Sequence, residues 1–221
     1  MSIISFMTQP TQEQLKILID LYQSGKLDEA ENEAQKLLKE FPDDITCLNV
    51  LGVVLDRKGR TEEAIKIYEK ALQFNENSPE THFNMGSIFH RLGRSNEARI
   101  SYEKAISIKP DFLNAHFNLG LVYQNLQDNK KAIESYEKAI KLKPDFSEAI
   151  GAMGTAFQAQ GEIDEAIELY RKALSIQPDA RSHYNLAAGL RNKGALDESI
   201  EQYEKSLSFN EQNPEALTSL G

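Results

Sequence analysis

The chain has no tryptophan, one cysteine and only four histidines among its 221 residues. A single cysteine cannot build an internal disulfide framework. Cys47 falls on an apolar helix face and is expected to be a small core residue. Basic charge is also short: 25 lysines and arginines stand against 34 acidic residues, for a formal net charge of −9. A nucleic-acid partner requires a basic stripe, and none is visible. The same deficit argues against a basic helix lying on a membrane surface. No run approaches the ~18 apolar residues of a membrane span. The opening stretch, Met1 to Met7, is apolar but lacks the basic lead-in and long apolar core of a secretory signal. A reducing, cytoplasmic setting is the expectation that follows.

Patterns that carry chemistry are scarce too. There is no Gly-x-x-x-x-Gly-Lys phosphate loop and no dinucleotide fingerprint after a strand. Ser182-His183 beside Asp179 is not a triad, because neighbours on one helix do not converge on a substrate. His82, His116 and His183 occupy equivalent places in different repeats. Each intervening helix separates such residues by about 10 Å, whereas zinc ligands must all lie about 2 Å from one ion. These histidines are read as packing residues, and His90, alone on its face, as a groove residue. No enzyme activity, metal or cofactor is expected.

What the sequence does have is a period. Tyr68-Glu69-Lys70-Ala71 returns at intervals of 34 residues as Tyr102-Glu103-Lys104-Ala105, Tyr136-Glu137-Lys138-Ala139 and Tyr170-Arg171-Lys172-Ala173. Asn84-Met85-Gly86, Asn118-Leu119-Gly120 and Asn185-Leu186-Ala187 form a second series. The frames are 11–44, 45–78, 79–112, 113–146, 147–179 and 180–213, and 214–221 begins a seventh. Units this short cannot bury an apolar face alone, so they must stack.

Each frame reads as two amphipathic helices. His116, Leu119, Gly120 and Tyr123 recur at helical spacing, as do Ala132, Tyr136, Ala139 and Ile140. Gly25, Gly59, Gly93, Gly161 and Gly194 mark ends of first helices, and Leu126 to Asn129 is a polar turn at the corresponding place. Pro42, Pro110, Pro144 and Pro178 stop second helices. Ser78-Pro79 and Asn213-Pro214 read as an N-cap followed by proline in the first helical position.

Gly52, Gly86, Gly120, Gly154 and Ala187 on first helices are expected to meet Ala30, Ala64, Ala98, Ala132, Ala166 and Ser199 on second helices. Phe89, Tyr123, Phe157 and the tyrosine stripe Tyr68, Tyr102, Tyr136, Tyr170 and Tyr203 would flank that contact as core. Glu134–Lys138, Glu168–Lys172 and Glu201–Lys205 read as supporting pairs on a solvated face.

The pattern Leu-Gly-x-x-Tyr, then Ala-x-x-x-Tyr, then Ala, then Pro resembles the tetratricopeptide repeat (TPR) family over residues 11 to 221. Unit one departs most, with Leu18, Ala34 and Leu37 in place of the small and aromatic residues. Residues 1–10 are expected to be an N-terminal cap, through Ile3, Ile4 and Phe6, or a disordered segment. The resemblance implies an all-α, right-handed α-solenoid of six helix pairs plus the partial seventh, its first helices lining a concave groove.

On that resemblance, Asn84, Asn118 and Asn185 repeat down the groove, each preceded by an aromatic residue: Phe83, Phe117 and Tyr184. Arg91, Asn125 and Arg191 lie along it as well. A carboxamide both donates and accepts, so it can pair with a peptide backbone of any sequence. The row resembles the asparagine ladder in the TPR arms of O-linked sugar transferases. Lys16, Val50 and Ala152 interrupt it, and Gly151, Ala152, Thr155 and Ala159 leave a gap or shallow pocket. The carboxylate clamp of TPR co-chaperones is not expected: its places hold Glu80, Asn84, Asn114, Asn118, Glu148 and Ala152, so the cationic partners are missing and two places are acidic.

The expected function is a protein-interaction scaffold that binds an extended segment of a partner protein. Two alternatives stand beside it. The chain could be the substrate-recruiting arm of a larger transferase, or it could self-associate through Leu217 and Leu220 of an uncapped last unit.

Overall fold

This computed structural model describes residues 9–209. The expected N-terminal cap through Ile3, Ile4 and Phe6 and the partial seventh unit with Leu217 and Leu220 lie outside the described residues. Within them are twelve α-helices and no strand. The chain divides after Pro110 into two compact units. Unit 1 holds α1 (Gln12–Gln23), α2 (Leu27–Glu40), α3 (Ile45–Arg57), α4 (Thr61–Phe74), α5 (Pro79–Arg91) and α6 (Ser95–Ile108). Unit 2 holds α7 (Leu113–Asn125), α8 (Asn129–Leu142), α9 (Ser147–Gln160), α10 (Ile163–Ile176), α11 (Ala180–Lys193) and α12 (Leu196–Phe209).

Helix limits follow local chemistry. Thr11 and Gln14 form a reciprocal capping box at the start of α1. Asp44, Ser78, Asp128 and Asp179 accept a backbone N–H at the starts of α3, α5, α8 and α11, and Pro79 opens α5. Gly161 and Gly194 end α9 and α11 in the left-handed region, with φ of 86° and 87°. Gln127 takes the same turn after α7 at φ 60°, the only non-glycine among the described residues to do so. It is tolerated there at a cost glycine does not carry.

Consecutive helices form antiparallel hairpins, and within each unit neighbouring hairpins stack through α2 on α3 and α4 on α5, or α8 on α9 and α10 on α11. The small residues of first helices come close to those of second helices: Ser199 Oγ donates to the Ala187 carbonyl at 2.8 Å, and a Cβ at Gly154 would lie 3.3 Å from the Ala166 carbonyl oxygen. They also meet the tyrosines. A Cβ added at Gly86 or Gly154 would lie 2.8 Å from the ring of Tyr102 or Tyr170, and at Gly52 or Gly120 closer still to Tyr68 or Tyr136. Tyr68, Tyr102, Tyr136, Tyr170 and Tyr203 are all at most 1% exposed. In the sixth pair Ala187 packs with Tyr203. The first pair inverts the sizes: Leu18 stands at the glycine's place and Ala34 at the tyrosine's, both fully buried. Total volume at the contact is thereby kept, which is the condition a close-packed core imposes.

Neighbouring hairpins are also tied by charge. In unit 1 the carboxylate of Glu31, on α2, accepts from Lys58 at 2.7 Å and Arg60 at 2.6 Å, and Lys58 also reaches Asp28 at 2.5 Å. Lys58, then Arg60, hold the Glu31 carboxyl below the usual carboxylate range against a burial that would raise it. In unit 2, Lys193 pairs with Asp164 and Arg171 with Glu198. Of the three expected pairs along second helices, Glu201–Lys205 closes at 2.6 Å. Glu134 and Lys138, and Glu168 and Lys172, instead line open hollows. Cys47 is fully buried, and burial first, then Asp44, pushes its thiol pKa up, so the thiolate is disfavoured.

Gly120→Ala is expected to destabilise the chain by about 1–3 kcal/mol through overpacking on Tyr136. Tyr136→Leu in the same chain should recover part of that loss. Chemical denaturation of both single variants and the double variant measures the coupling, and strictly additive effects would refute the contact.

A depressed carboxyl pKa stabilises the fold above the unfolded value of ~4.3 and ceases to do so as pH falls through the folded value. Glu31→Gln should therefore lower the melting temperature at pH 7 and lower it by less at pH 3. An equal drop at both pH values would contradict the ion-pair role.

Candidate functional site

The first-helix face is built directly on the tyrosine core. The phenols of Tyr102, Tyr136 and Tyr170 cross the adjoining glycine and end among polar residues of the first helix. Tyr102 donates to Ser87 Oγ at 3.2 Å, and Tyr136 to Gln124 Oε1 at 2.5 Å. Tyr170 reaches Thr155 Oγ1 at 3.3 Å and Gln158 Oε1 at 2.8 Å. Burial pushes the Tyr136 phenol pKa up, while the Arg181 charge lowers it, so these groups sense one another within unit 2. Sequence reasoning treated the tyrosines as core alone and missed this role. The signal was available: a tyrosine hydroxyl recurring at a core position in five of the six repeats calls for partners.

The aromatic residues expected to contact a partner lean on the same rings. Phe83 lies 5.7 Å from Tyr102, Phe117 6.0 Å from Tyr136, and Tyr184 5.6 Å from Tyr203, centroid to centroid. Phe117 also meets Phe146, which precedes α9, at 5.0 Å. All three are half-buried, so each keeps part of its ring exposed. Asn84 sits half-buried on α5 in unit 1. In unit 2, Asn118 is half-buried on α7 and Asn185 half-buried on α11. Asn185 Nδ2 lies 3.5 Å from Thr155 Oγ1, which links the row on α11 to that on α9. Thr155, in the stretch of α9 that interrupts the ladder, also receives Tyr170.

Arg91 is committed elsewhere: its guanidinium pairs with Asp56 on α3. Asn125 and Arg191 are exposed at the ends of α7 and α11, and Arg191 lies over the Tyr203 ring at 6.0 Å. The histidines hold separate contacts. His82 Nε2 meets the Glu76 carbonyl at 2.9 Å, His183 Nδ1 meets Gln202 Oε1 at 2.8 Å, and His116 is buried. Burial lowers the His90 pKa and favours its neutral form. Among the described residues no group of three metal-ligating side chains is brought together.

Hollows occur at a second place that sequence reasoning did not consider, the cleft between the two helices of a hairpin. Met153, Phe157 and Leu169 floor one of about 400 Å³ between α9 and α10, rimmed by Glu165, Glu168 and Lys172. Equivalent residues line smaller ones between α3 and α4 and between α7 and α8. None of these three hollows includes an asparagine of the ladder.

Hairpins joined by a buried tyrosine against a small residue define an α-helical repeat protein. Models of the tetratricopeptide repeat match residues 113–146 and 147–179, a TPR repeat model matches 56–93 and 86–127, and a further tetratricopeptide model matches 180–213. A solved structure of MamA is 30% identical, with 73% of this chain and 94% of that one aligned at a TM-score of 0.66. The chain belongs to the tetratricopeptide repeat family.

PilF of Pseudomonas aeruginosa aligns over 94% of this chain and 95% of its own at a TM-score of 0.83 and 19% identity. YrrB, described as a TPR protein with an unusual peptide-binding site, aligns over 84% of this chain and 96% of its own at a TM-score of 0.72 and 21% identity. Among curated protein sequences none matches. The repeats are those of a protein-interaction scaffold. No described helix is long and apolar enough to cross a membrane.

Proposed function

We propose that the first-helix face of this protein binds an extended segment of a partner protein, with each unit contributing its own stretch of face. The observation that carries the reading is the Asn185–Thr155 contact in unit 2, which sets a carboxamide of α11 beside the polar row of α9. Asn185 donates through Nδ2 and keeps Oδ1 for a peptide N–H. Asn118 on α7 supplies a second carboxamide in the same unit, and Phe117 and Tyr184 offer half-exposed rings beside them. Unit 1 offers Asn84 and Phe83 in the same relation. Pairing through carboxamides reads the backbone rather than the side chains, so the partner is recognised mainly as an extended chain. The peptide-binding site in YrrB supports the reading by likeness of fold.

The test uses the full chain and a capped octapeptide of alanine and leucine with one central glutamine, followed by chemical-shift titration. Asn118→Ala with Asn185→Ala is expected to weaken binding about tenfold, the loss of one to two modest hydrogen bonds. The melting temperature should stay within a degree or two of the parent, since both side chains are half-exposed. Unchanged affinity, or a loss that merely tracks the melting temperature, would overturn the reading.

A further inference from the structure

Tyr203 breaks the rule that the other second-helix tyrosines of unit 2 obey. Its side chain is 1% exposed and its hydroxyl is buried with no hydrogen-bond partner. The reason lies on α11. Ala188 stands where Thr155 stands in α9, and Arg191 where Gln124 and Gln158 stand in α7 and α9. Alanine accepts nothing, and a guanidinium only donates. Arg191 lies over the Tyr203 ring at 6.0 Å, is exposed, and has no ion-pair partner among the described residues. The buried phenol O–H and the guanidinium over its ring are therefore both donors, and neither has an acceptor among the described residues.

Charge points the same way. Helix α11 carries Arg181, Arg191 and Lys193 and no acidic residue. On the neighbouring first helices, α7 has no charged residue and α9 only Glu148. Lys193 is neutralised by Asp164, which leaves the two arginines. In a chain of net charge −9, Arg191 is thus a cation with no paired carboxylate among the described residues.

We propose that Tyr203 and Arg191 form a carboxylate subsite, which takes an acidic side chain of the extended segment. The inference rests on the peptide-binding reading above and adds what the segment must contain. On binding, the exposed Arg191 side chain lifts from the ring. One carboxylate then accepts from the Tyr203 hydroxyl and the Arg191 guanidinium, while Asn185 holds the adjoining backbone. Such charge-assisted bonds are shorter and stronger than neutral ones. The subsite is separate from a clamp spread over three first helices, since it lies on one helix pair.

The experiment compares the capped octapeptide carrying a central glutamate with its glutamine counterpart, using the full chain. The glutamate peptide is expected to bind about fivefold to tenfold more tightly, with the preference shrinking as salt rises. Tyr203→Phe and Arg191→Gln should each reduce that preference. Tyr203→Phe should melt at or above the parent, because it removes a buried hydroxyl that has no partner.

If both peptides bind alike, or Tyr203→Phe keeps the full preference, the subsite is refuted while the peptide-binding reading stands. If neither peptide binds, both are refuted. If only an uncapped peptide with a free C-terminal carboxylate shows the preference, an acidic side chain is the wrong source and the proposal falls.

Discussion

A tyrosine ring lying across a residue without a side chain holds these hairpins together. The first-helix glycine has no Cβ, and the ring from the second helix occupies the space it would take. Four pairs use glycine with tyrosine in this way, and the sixth uses Ala187 with Tyr203. The first pair reaches a similar filling with Leu18 and Ala34. Interiors are packed closely enough that only such complementary pairs fit. The contact matters beyond stability because the rings of Tyr102, Tyr136 and Tyr170 carry their hydroxyls through to polar side chains of the first helix. Core and first-helix face are therefore two sides of one side chain.

That coupling ties polar and aromatic residues of the first helices to the core. Ser87, Gln124, Thr155 and Gln158 are fixed by phenols beneath them. Phe83, Phe117 and Tyr184 are fixed by the same rings from the side. Side chains held this way have little conformational freedom left to lose. Where the polar residue is replaced, as at Ala188, the hydroxyl is left unmatched, and α11 differs in both charge and chemistry from α7 and α9.

The helix pairs could be read from the 34-residue period because each turn and cap is a local event. Asp44, Ser78 and Asp179 cap helices through atoms only three residues away. Gly161 and Gly194 stand where the backbone must turn left-handed. Gln127 shows the limit of that reasoning, because the hairpin imposes the same turn on a residue that does not favour it. The candidate site was legible only in part. Asn84, Asn118 and Asn185 stood out by recurrence, but the commitment of Arg91 to Asp56 and the link from Asn185 to Thr155 join residues about one repeat apart.

By itself the sequence determined the repeat, its helices, their ends and the membership of a stacked all-α family. These depend on spacing and on neighbours within a few residues along the chain. Tertiary structure alone decided which small residue faces which ring, where each phenol oxygen ends, and which charges meet across hairpins. Those outcomes depend on the depth and angle at which two helices approach. Replacing Gln158 and Thr155 by Arg191 and Ala188 at the corresponding places then separates a satisfied tyrosine from one whose hydroxyl has no acceptor.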